Sequence, residues 1–226
     1  GEEKEVEVEV AVAYYRAGYD PKDYEASGAW AGRGILERGA CICVPDVVVH
    51  LAGAKRVQQA LAGDGVVERF LGEVKGAQLR ETFAGLWPLD PTEVEASPDS
   101  RAALARARGD PHSYVIKPQR EGGGHNIYGI AVATSLDKWD ARTRKAHILM
   151  ERIHPAALKA TMMRKGVPIE APAICEFGFF SHRLVRNTDN QVLGDDTDGH
   201  LVRTKAVGTD EGGDAAGFAV VDSPIL

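Results

Sequence analysis

The run Ile116-Lys117-Pro118-Gln119-Arg120-Glu121-Gly122-Gly123-Gly124-His125-Asn126 constrains this chain more than any other segment. An apolar stretch, Tyr114-Val115-Ile116, leads into three consecutive glycines within ten residues. A strand that ends in a loop without side-chain bulk can turn its backbone N–H groups inward around an anion. Lys117 supplies a point charge for phosphate, and Glu121 supplies a hard carboxylate oxygen for Mg2+. No Gly-Lys-Ser/Thr closes the loop, so it is not a Walker A sequence, and it does not follow Gly-x-Gly-x-x-Gly. A flexible surface linker is the competing reading.

A net charge of −6 over 226 residues argues against non-specific nucleic-acid binding, so any cations that matter must be clustered locally. Cys41, Cys43 and Cys175 form a Cys-x-Cys pair plus a singleton, which suits neither a zinc site nor a disulfide framework. The histidines are scattered without ligand spacing. No apolar run approaches membrane-span length, and the acidic start Glu2-Glu3-Lys4 is unlike a secretory signal. The expectation is a soluble, cytoplasmic protein with no nucleic-acid or membrane partner.

The alternation Val6-Glu7-Val8-Glu9-Val10 predicts a strand from about Val6 to Tyr15, already under way near Gly1, as in a segment of a longer chain. Helices are predicted over Trp30–Glu37, Val47–Leu61, Leu79–Leu86, Ser100–Arg108 and Ile127–Leu136, the fourth started by Ser97-Pro98-Asp99-Ser100. Short strands are predicted at Ala40–Val44, Tyr114–Ile116, Ala146–Met150, Ala173–Phe180 and Leu201-Val202. Mixed helices and strands give an α/β or α+β class.

Lys55 and Lys117 sit in different segments that can converge on one polyphosphate, although Lys55 alone also reads as a solvated helix residue. Leu149-Met150-Glu151-Arg152-Ile153 ends a strand where backbone groups could meet a base edge and Met150 and Ile153 its faces. Glu176 interrupts an apolar strand, and Arg203 and Lys205 alternate onto one strand face, suited to a carboxylate beside a phosphate. A second glycine-rich segment, Gly208–Gly217, has the character of a lid.

Taken together, these strings resemble the C-terminal half of eukaryotic-type glutathione synthetase, an ATP-grasp ligase. Tyr14–Tyr19, Leu51–Gln59, Thr82–Leu86, Ile116–Gly129, Ile148–Ile153, Cys175–Gly178, Gly199–Lys205 and Gly212–Asp222 follow the family's order along essentially the whole chain. The resemblance implies an ATP-grasp fold with part of a small α/β substrate-binding domain. Residues 1–53 would be that partial domain and residues 54–226 the ATP-grasp segment. It implies joining of γ-glutamylcysteine to glycine through an acyl phosphate, with ATP and Mg2+, in a homodimer. Lys55, Lys117, Gly122, Gly123, Gly124, Asn126, Tyr128, Met150, Glu151, Ile153, Glu176, Lys205 and Glu211 fall at ATP-site positions, and Glu121 at a Mg2+ ligand. Arg16, Tyr19, Arg203, Asp214 and Ala215 fall at peptide-substrate positions, with Arg203 and Lys117 carrying the catalytic roles. His125 stands where the family commonly has Asn, Asp214 replaces a small apolar residue, and Asp195-Asp196-Thr197-Asp198 is unusually acidic. The family's N-terminal half, with further metal and substrate contacts, is the expected partner of this segment. The rival readings are a non-catalytic nucleotide-binding or assembly module and a related carboxylate–amine ligase with another acceptor.

Overall fold

The computed structural model describes residues 8–119, 124–209 and 219–223. The chain divides into two compact units, Gly1–Arg152 and Ile153–Leu226.

The first unit begins with two strands, β1 (Val12–Tyr14) and β2 (Ile42–Val44), paired in parallel from Val12↔Ile42 to Tyr14↔Val44. Parallel pairing needs a crossover, and α1 (Ala29–Arg38) provides it, close to the predicted bounds. The predicted strand from Val6 shrinks to Val12–Tyr14 because β2 offers only three ladder partners. Val6 and Glu7 lie outside the described residues.

The helix expected over Val47–Leu61 is two helices, α2 (Val47–Ala52) and α3 (Lys55–Leu61). The Asp46 carboxylate caps α2 by accepting from Val49 N–H at 2.8 Å. Ala54 then adopts an extended conformation (φ −64°, ψ 143°), so the helix restarts with Lys55 as its first residue. The short helices α4 (Glu68–Leu71) and α5 (Glu73–Arg80) follow, hinged at Gly72 (φ +77°). The helix predicted over Leu79–Leu86 is also corrected. Arg80 ends α5, bonding Glu68 at 2.8 and 2.6 Å and the carbonyls of Ala62 and Gly63. Leu86 instead opens the strand β3 (Leu86–Pro88).

Asp90 caps α6 (Pro91–Ala96), a helix not predicted from the sequence, and Ser97 caps α7 (Pro98–Gly109) with Pro98 at its start, as predicted. Then come β4 (Tyr114–Pro118), β5 (Ile127–Tyr128), α8 (Ile130–Lys138), α9 (Ala141–Lys145) and β6 (His147–Glu151). The helix expected from Ile127 starts three residues later, because Ile127 and Tyr128 pair with Ile116 and Val115. Gly129 makes the turn at φ +56°, where a Cβ would lie 3.2 Å from the His112 ring. The four strands form an antiparallel sheet in the order β3–β6–β4–β5. One face, with Trp87, Tyr114, Ile116, Ile127 and Leu149, packs on Val94, Leu104, Ala107, Val132 and Leu136 from α6, α7 and α8. Ile116 and Leu149 are fully buried there, each side chain contributing about 1.5–3 kcal/mol of hydrophobic stabilisation.

The second unit is an antiparallel sheet in the order β10–β9–β8–β7. Its strands are β7 (Leu158–Arg164), β8 (Val167–Arg186), β9 (Gln191–Ala206) and β10 (Val220–Asp222). Lys165 and Gly166, both at positive φ (49° and 78°), join β7 to β8 in a tight hairpin. The predicted short strands at Ala173–Phe180 and Leu201-Val202 are fragments of ladders that run from Ala173↔Ala206 to Arg186↔Gln191. Polar cross-strand neighbours extend them: His182 Nδ1 lies 3.2 Å from Asp198, and Arg183 Nε lies 3.9 Å from Asp195. The acidic run therefore lies along a ribbon, with two of its carboxylates facing basic groups. Among the described residues no helix is long and apolar enough to cross a membrane.

Candidate functional site

Register decides which side chains share a surface. Val115 pairs with both Tyr128 and Met150, Lys117 pairs with Ile148, and Met150 pairs with Leu86. Directly paired residues and those two apart point the same way, so Lys117, Tyr128 and Met150 occupy one face of β3–β6–β4–β5. That face is opposite the helix-packed core. Val115 and Ile148 form a buried apolar floor between these three side chains. A planar apolar group could lie against Tyr128 and Met150 while Lys117 meets charge at its end.

The face is held from two sides. Asn126 Nδ2 donates to the Tyr128 hydroxyl at 3.2 Å, and the Arg152 guanidinium sits 5.3 Å from the Tyr128 ring centre. The Lys55 N–H donates to Gln119 O at 3.3 Å, tying the start of α3 to the chain two residues beyond Lys117. The structure thus brings the Lys55 and Lys117 segments together at one end of the sheet. Glu151 points to the other face, paired with Tyr114, and its carboxylate accepts from Gly85 N–H at 3.2 Å. That side chain braces β3 against β6, and what it leaves for a ligand is main chain. Gly124 is described at φ +84°, whereas Glu121, Gly122 and Gly123 lie outside the described residues.

In the second unit, Glu176 pairs with Arg203, and Arg203 and Lys205 do share a face. Glu176 holds both cations: its Oε2 lies 3.0 Å from Arg203 Nη2 and its Oε1 lies 3.1 Å from Lys205 Nζ. Glu176 is half-exposed and ion-paired rather than an isolated buried charge. The triad carries a net positive charge, with Arg203 at 39 % side-chain exposure reaching solvent and Lys205 at 8 % recessed. Beneath them the Thr204 hydroxyl, fully buried, donates to Asp222 Oδ2 at 2.9 Å and lies 3.2 Å from Cys175 Sγ. Ile153 also belongs to this unit and is exposed. Glu211, Asp214 and Ala215 lie outside the described residues.

Arg16 and Tyr19 lie on the turn after β1. Its apex, Gly18 (φ +95°), donates its N–H to Asp23 Oδ2 at 2.7 Å, and its carbonyl accepts from the Tyr24 hydroxyl at 2.8 Å. A Cβ on Gly18 would collide with that hydroxyl at 2.8 Å. Behind the turn is Arg33, only 6 % exposed, which sequence reasoning misses. It bonds Glu37 at 2.5–2.6 Å and the Pro45 carbonyl at 3.3 Å, and stacks 3.5 Å from the Tyr15 ring centre. Burial pulls its pKa down, but the Glu37 hydrogen bond and charge outweigh that and leave it raised. The spacing of Arg33 and Glu37, four apart on a helix, was the available signal. Burial, followed by the Glu37 charge, pushes the Cys43 thiol up, which disfavours a nucleophilic thiolate there. Among the described residues no group of three His, Cys, Asp or Glu side chains could hold a metal ion.

A family model described as eukaryotic glutathione synthase, ATP binding domain, matches residues 4–226. The chain is 43 % identical over 222 residues to glutathione synthetase from Xenopus laevis, covering 96 % of this chain and 45 % of that protein. It is 42 % identical over 221 residues to the chloroplastic glutathione synthetase of Solanum lycopersicum, covering 96 % and 38 %. The Dictyostelium discoideum glutathione synthetase is 38 % identical over 223 residues, with 97 % and 46 % covered. The chain therefore spans less than half the length of these curated relatives. Among solved structures, a glutathione synthetase-like effector from Globodera pallida in its apo form superposes with a TM-score of 0.62 at 22 % identity. That match covers 86 % of this chain and 39 % of the effector, and at such identity it supports the fold alone. By sequence and by fold, this chain belongs to the eukaryotic glutathione synthase ATP-binding domain family.

Proposed function

We propose that the chain is the ATP-binding part of a ligase that joins γ-glutamylcysteine to glycine. The observation that carries the reading is the shared face of Lys117, Tyr128 and Met150 over the apolar floor of Val115 and Ile148. An adenine ring suits Tyr128 and Met150, with Asn126 and the Glu151 main chain beside them, and Ile153 falls at a nucleotide position of the family. Lys55, Lys117 and the glycines Gly122 to Gly124 suit the polyphosphate, and Glu176, Lys205 and Glu211 of the second unit fall at nucleotide positions of the family. Arg203 offers a forked donor to a carboxylate, and Arg16, Tyr19, Asp214 and Ala215 fall at the family's peptide-substrate positions. In this reading residues 1–53 are part of a substrate-binding domain and residues 54–226 are the ATP-grasp segment.

The γ-phosphoryl group passes to the cysteinyl carboxylate, releasing ADP and leaving an acyl phosphate. The glycine amine attacks that carbonyl, loses a proton and displaces phosphate. Phosphoryl transfer of this kind depends on positioned cations more than on covalent help from the protein. Mg2+ enters through Glu121 alone. The described residues do not by themselves fit a metal centre. The remaining ligands belong to the N-terminal half of the enzyme, the expected partner, in a homodimer. A cytoplasmic location goes with the reading, although two relatives are chloroplastic.

The test is phosphate release that requires ATP, glycine and γ-glutamylcysteine together, with the chain supplied with the N-terminal half. Lys117→Ala and Glu121→Ala should each abolish it, and turnover unaffected by either would overturn those assignments. The rival reading is a nucleotide-binding module without catalysis. Tight ATP binding with no turnover in the reconstituted pair would select that rival. A panel of amine acceptors separates glycine from other substrates.

A further inference from the structure

We infer that a second cleft of the first unit, where α3 faces the β3–α6 connection and the start of β6, binds a small zwitterionic α-amino acid. This goes beyond the ligase reading and uses none of Lys117, Tyr128 and Met150, although Pro88 of the cleft shares their sheet face. The cleft has a volume of about 310 Å³, at the small end of the range for small-molecule sites. Ala54, Pro88 and Leu89 give it an apolar wall, and Arg56, Asp90, Glu93, Gln119, Lys145 and His147 carry its polar groups.

The charges balance in pairs. Arg56 Nη1 lies 2.6 Å from Glu93 Oε2, and Lys145 Nζ lies 3.4 Å from Asp90 Oδ2. A phosphate or polyphosphate would enter against two carboxylates, and a simple cation against two basic groups. A ligand of zero net charge carrying both signs avoids both penalties.

The cleft also holds an acceptor that lacks a donor. Gln119 Oε1 is buried and has no hydrogen-bond partner among the described residues. Buried acceptors are nearly always satisfied, and a small side-chain adjustment of Gln119, which lines the cleft, would let this oxygen accept a ligand N–H. His147 adds another acceptor. Its Nδ1 lies 2.8 Å from Thr143 O, and a carbonyl only accepts, so Nδ1 carries the proton and Nε2 of the neutral ring is left to accept. A ligand ammonium thus has Gln119 Oε1 and the His147 ring as partners. The Arg56 bonds to Glu93 and Gln59 use only Nη1, which leaves the rest of the guanidinium fork for a carboxylate. The apolar wall suits a short aliphatic side chain.

The test is a calorimetric titration of L-valine into the 226-residue chain without nucleotide, so that its outcome is independent of the ligase reading. Saturable binding of one L-valine per chain is expected. Isovalerate, which lacks the ammonium, isobutylamine, which lacks the carboxylate, and inorganic phosphate should each bind at least about tenfold more weakly. Gln119→Leu should weaken L-valine by about tenfold. Arg56→Gln, at an exposed position where folding is safe, should weaken it by a comparable factor. The melting temperatures of both variants serve as the folding control. Absence of saturable L-valine binding would overturn the proposal, as would isovalerate binding equally well or wild-type affinity in folded Arg56→Gln.

Discussion

In the sheet β3–β6–β4–β5 one face lies under α6, α7 and α8, and its central residues Ile116 and Leu149 are fully buried. In the sheet β10–β9–β8–β7 the strands are much longer, yet Phe177, Phe179 and Phe180 stand more than half exposed. Burial in the second unit gathers instead where β9 meets its neighbours, at Ala173, Val202, Thr204 and Lys205. The first sheet is stabilised by packing, and its other face carries Lys117 beside Tyr128 and Met150. The second relies on its ladder and on cross-strand charges, so its chemistry rests on how Glu176 holds Arg203 and Lys205. The two sheets share a hydrogen-bond pattern but differ in what makes them rigid.

The contrast can be broken most sharply by truncating the packed core. Ile116→Ala should cost about 3 kcal/mol in urea-unfolding experiments, since the side chain is fully buried among helix-borne neighbours. A cost below about 1 kcal/mol would mean that the first sheet is not held by its core. Next comes Glu176→Gln, which removes the carboxylate charge that bridges Arg203 and the recessed Lys205. A loss of about 2 kcal/mol is expected, partly relieved by salt, and urea midpoints at low and high ionic strength read both. Ser97→Ala removes the acceptor of the Ser100 N–H at the start of α7 and should cost about 1 kcal/mol by the same measurement.

A smaller effect is expected in acid. The Arg80 hydrogen bond, followed by its own backbone N–H, holds the Glu68 carboxyl below its ordinary range. The Thr143 backbone N–H does the same for Asp140. A depressed folded pKa gives stability that is fully present above the unfolded value and is lost as pH falls through the folded one. Urea midpoints should therefore fall as pH drops below about 4, and Glu68→Gln should flatten that slope. An unchanged slope would remove Glu68 from the account. The least effect is expected from Phe179→Ala, within about 0.5 kcal/mol, because that ring is 72 % exposed. A cost near that of Ile116→Ala would abolish the distinction between the two sheets.

What could be read from sequence follows the same division. Local chemistry was enough for α7, whose Ser97-Pro98 start specifies a cap, and for β4 running into the glycine loop. Strand alternation was enough to place Arg203 and Lys205 together. Tertiary choices were not legible. Nothing in Gly53-Ala54 announces that Ala54 turns extended and makes Lys55 the first residue of a new helix. The end of α5 is set by Arg80 reaching Glu68 and the carbonyls of Ala62 and Gly63, a tie across at least twelve residues. The polar ribbon of β8 and β9 has no apolar period to reveal it. Family resemblance picked out Lys117, Tyr128 and Met150 by position, but only the ladder register put them on one face and turned the Glu151 side chain away. Arg33 escaped because its importance lies in burial, which spacing does not record.

In the proposed reading this face binds a nucleotide through Lys117. Calorimetric titration of ATP with Mg2+ into the chain tests it most directly, comparing the unsubstituted chain with Lys117→Ala and checking that both melt at the same temperature. Saturable binding to the former, weakened at least about tenfold in Lys117→Ala, is the predicted result. Equal affinity in the two chains, or no binding by the folded unsubstituted chain, would contradict it.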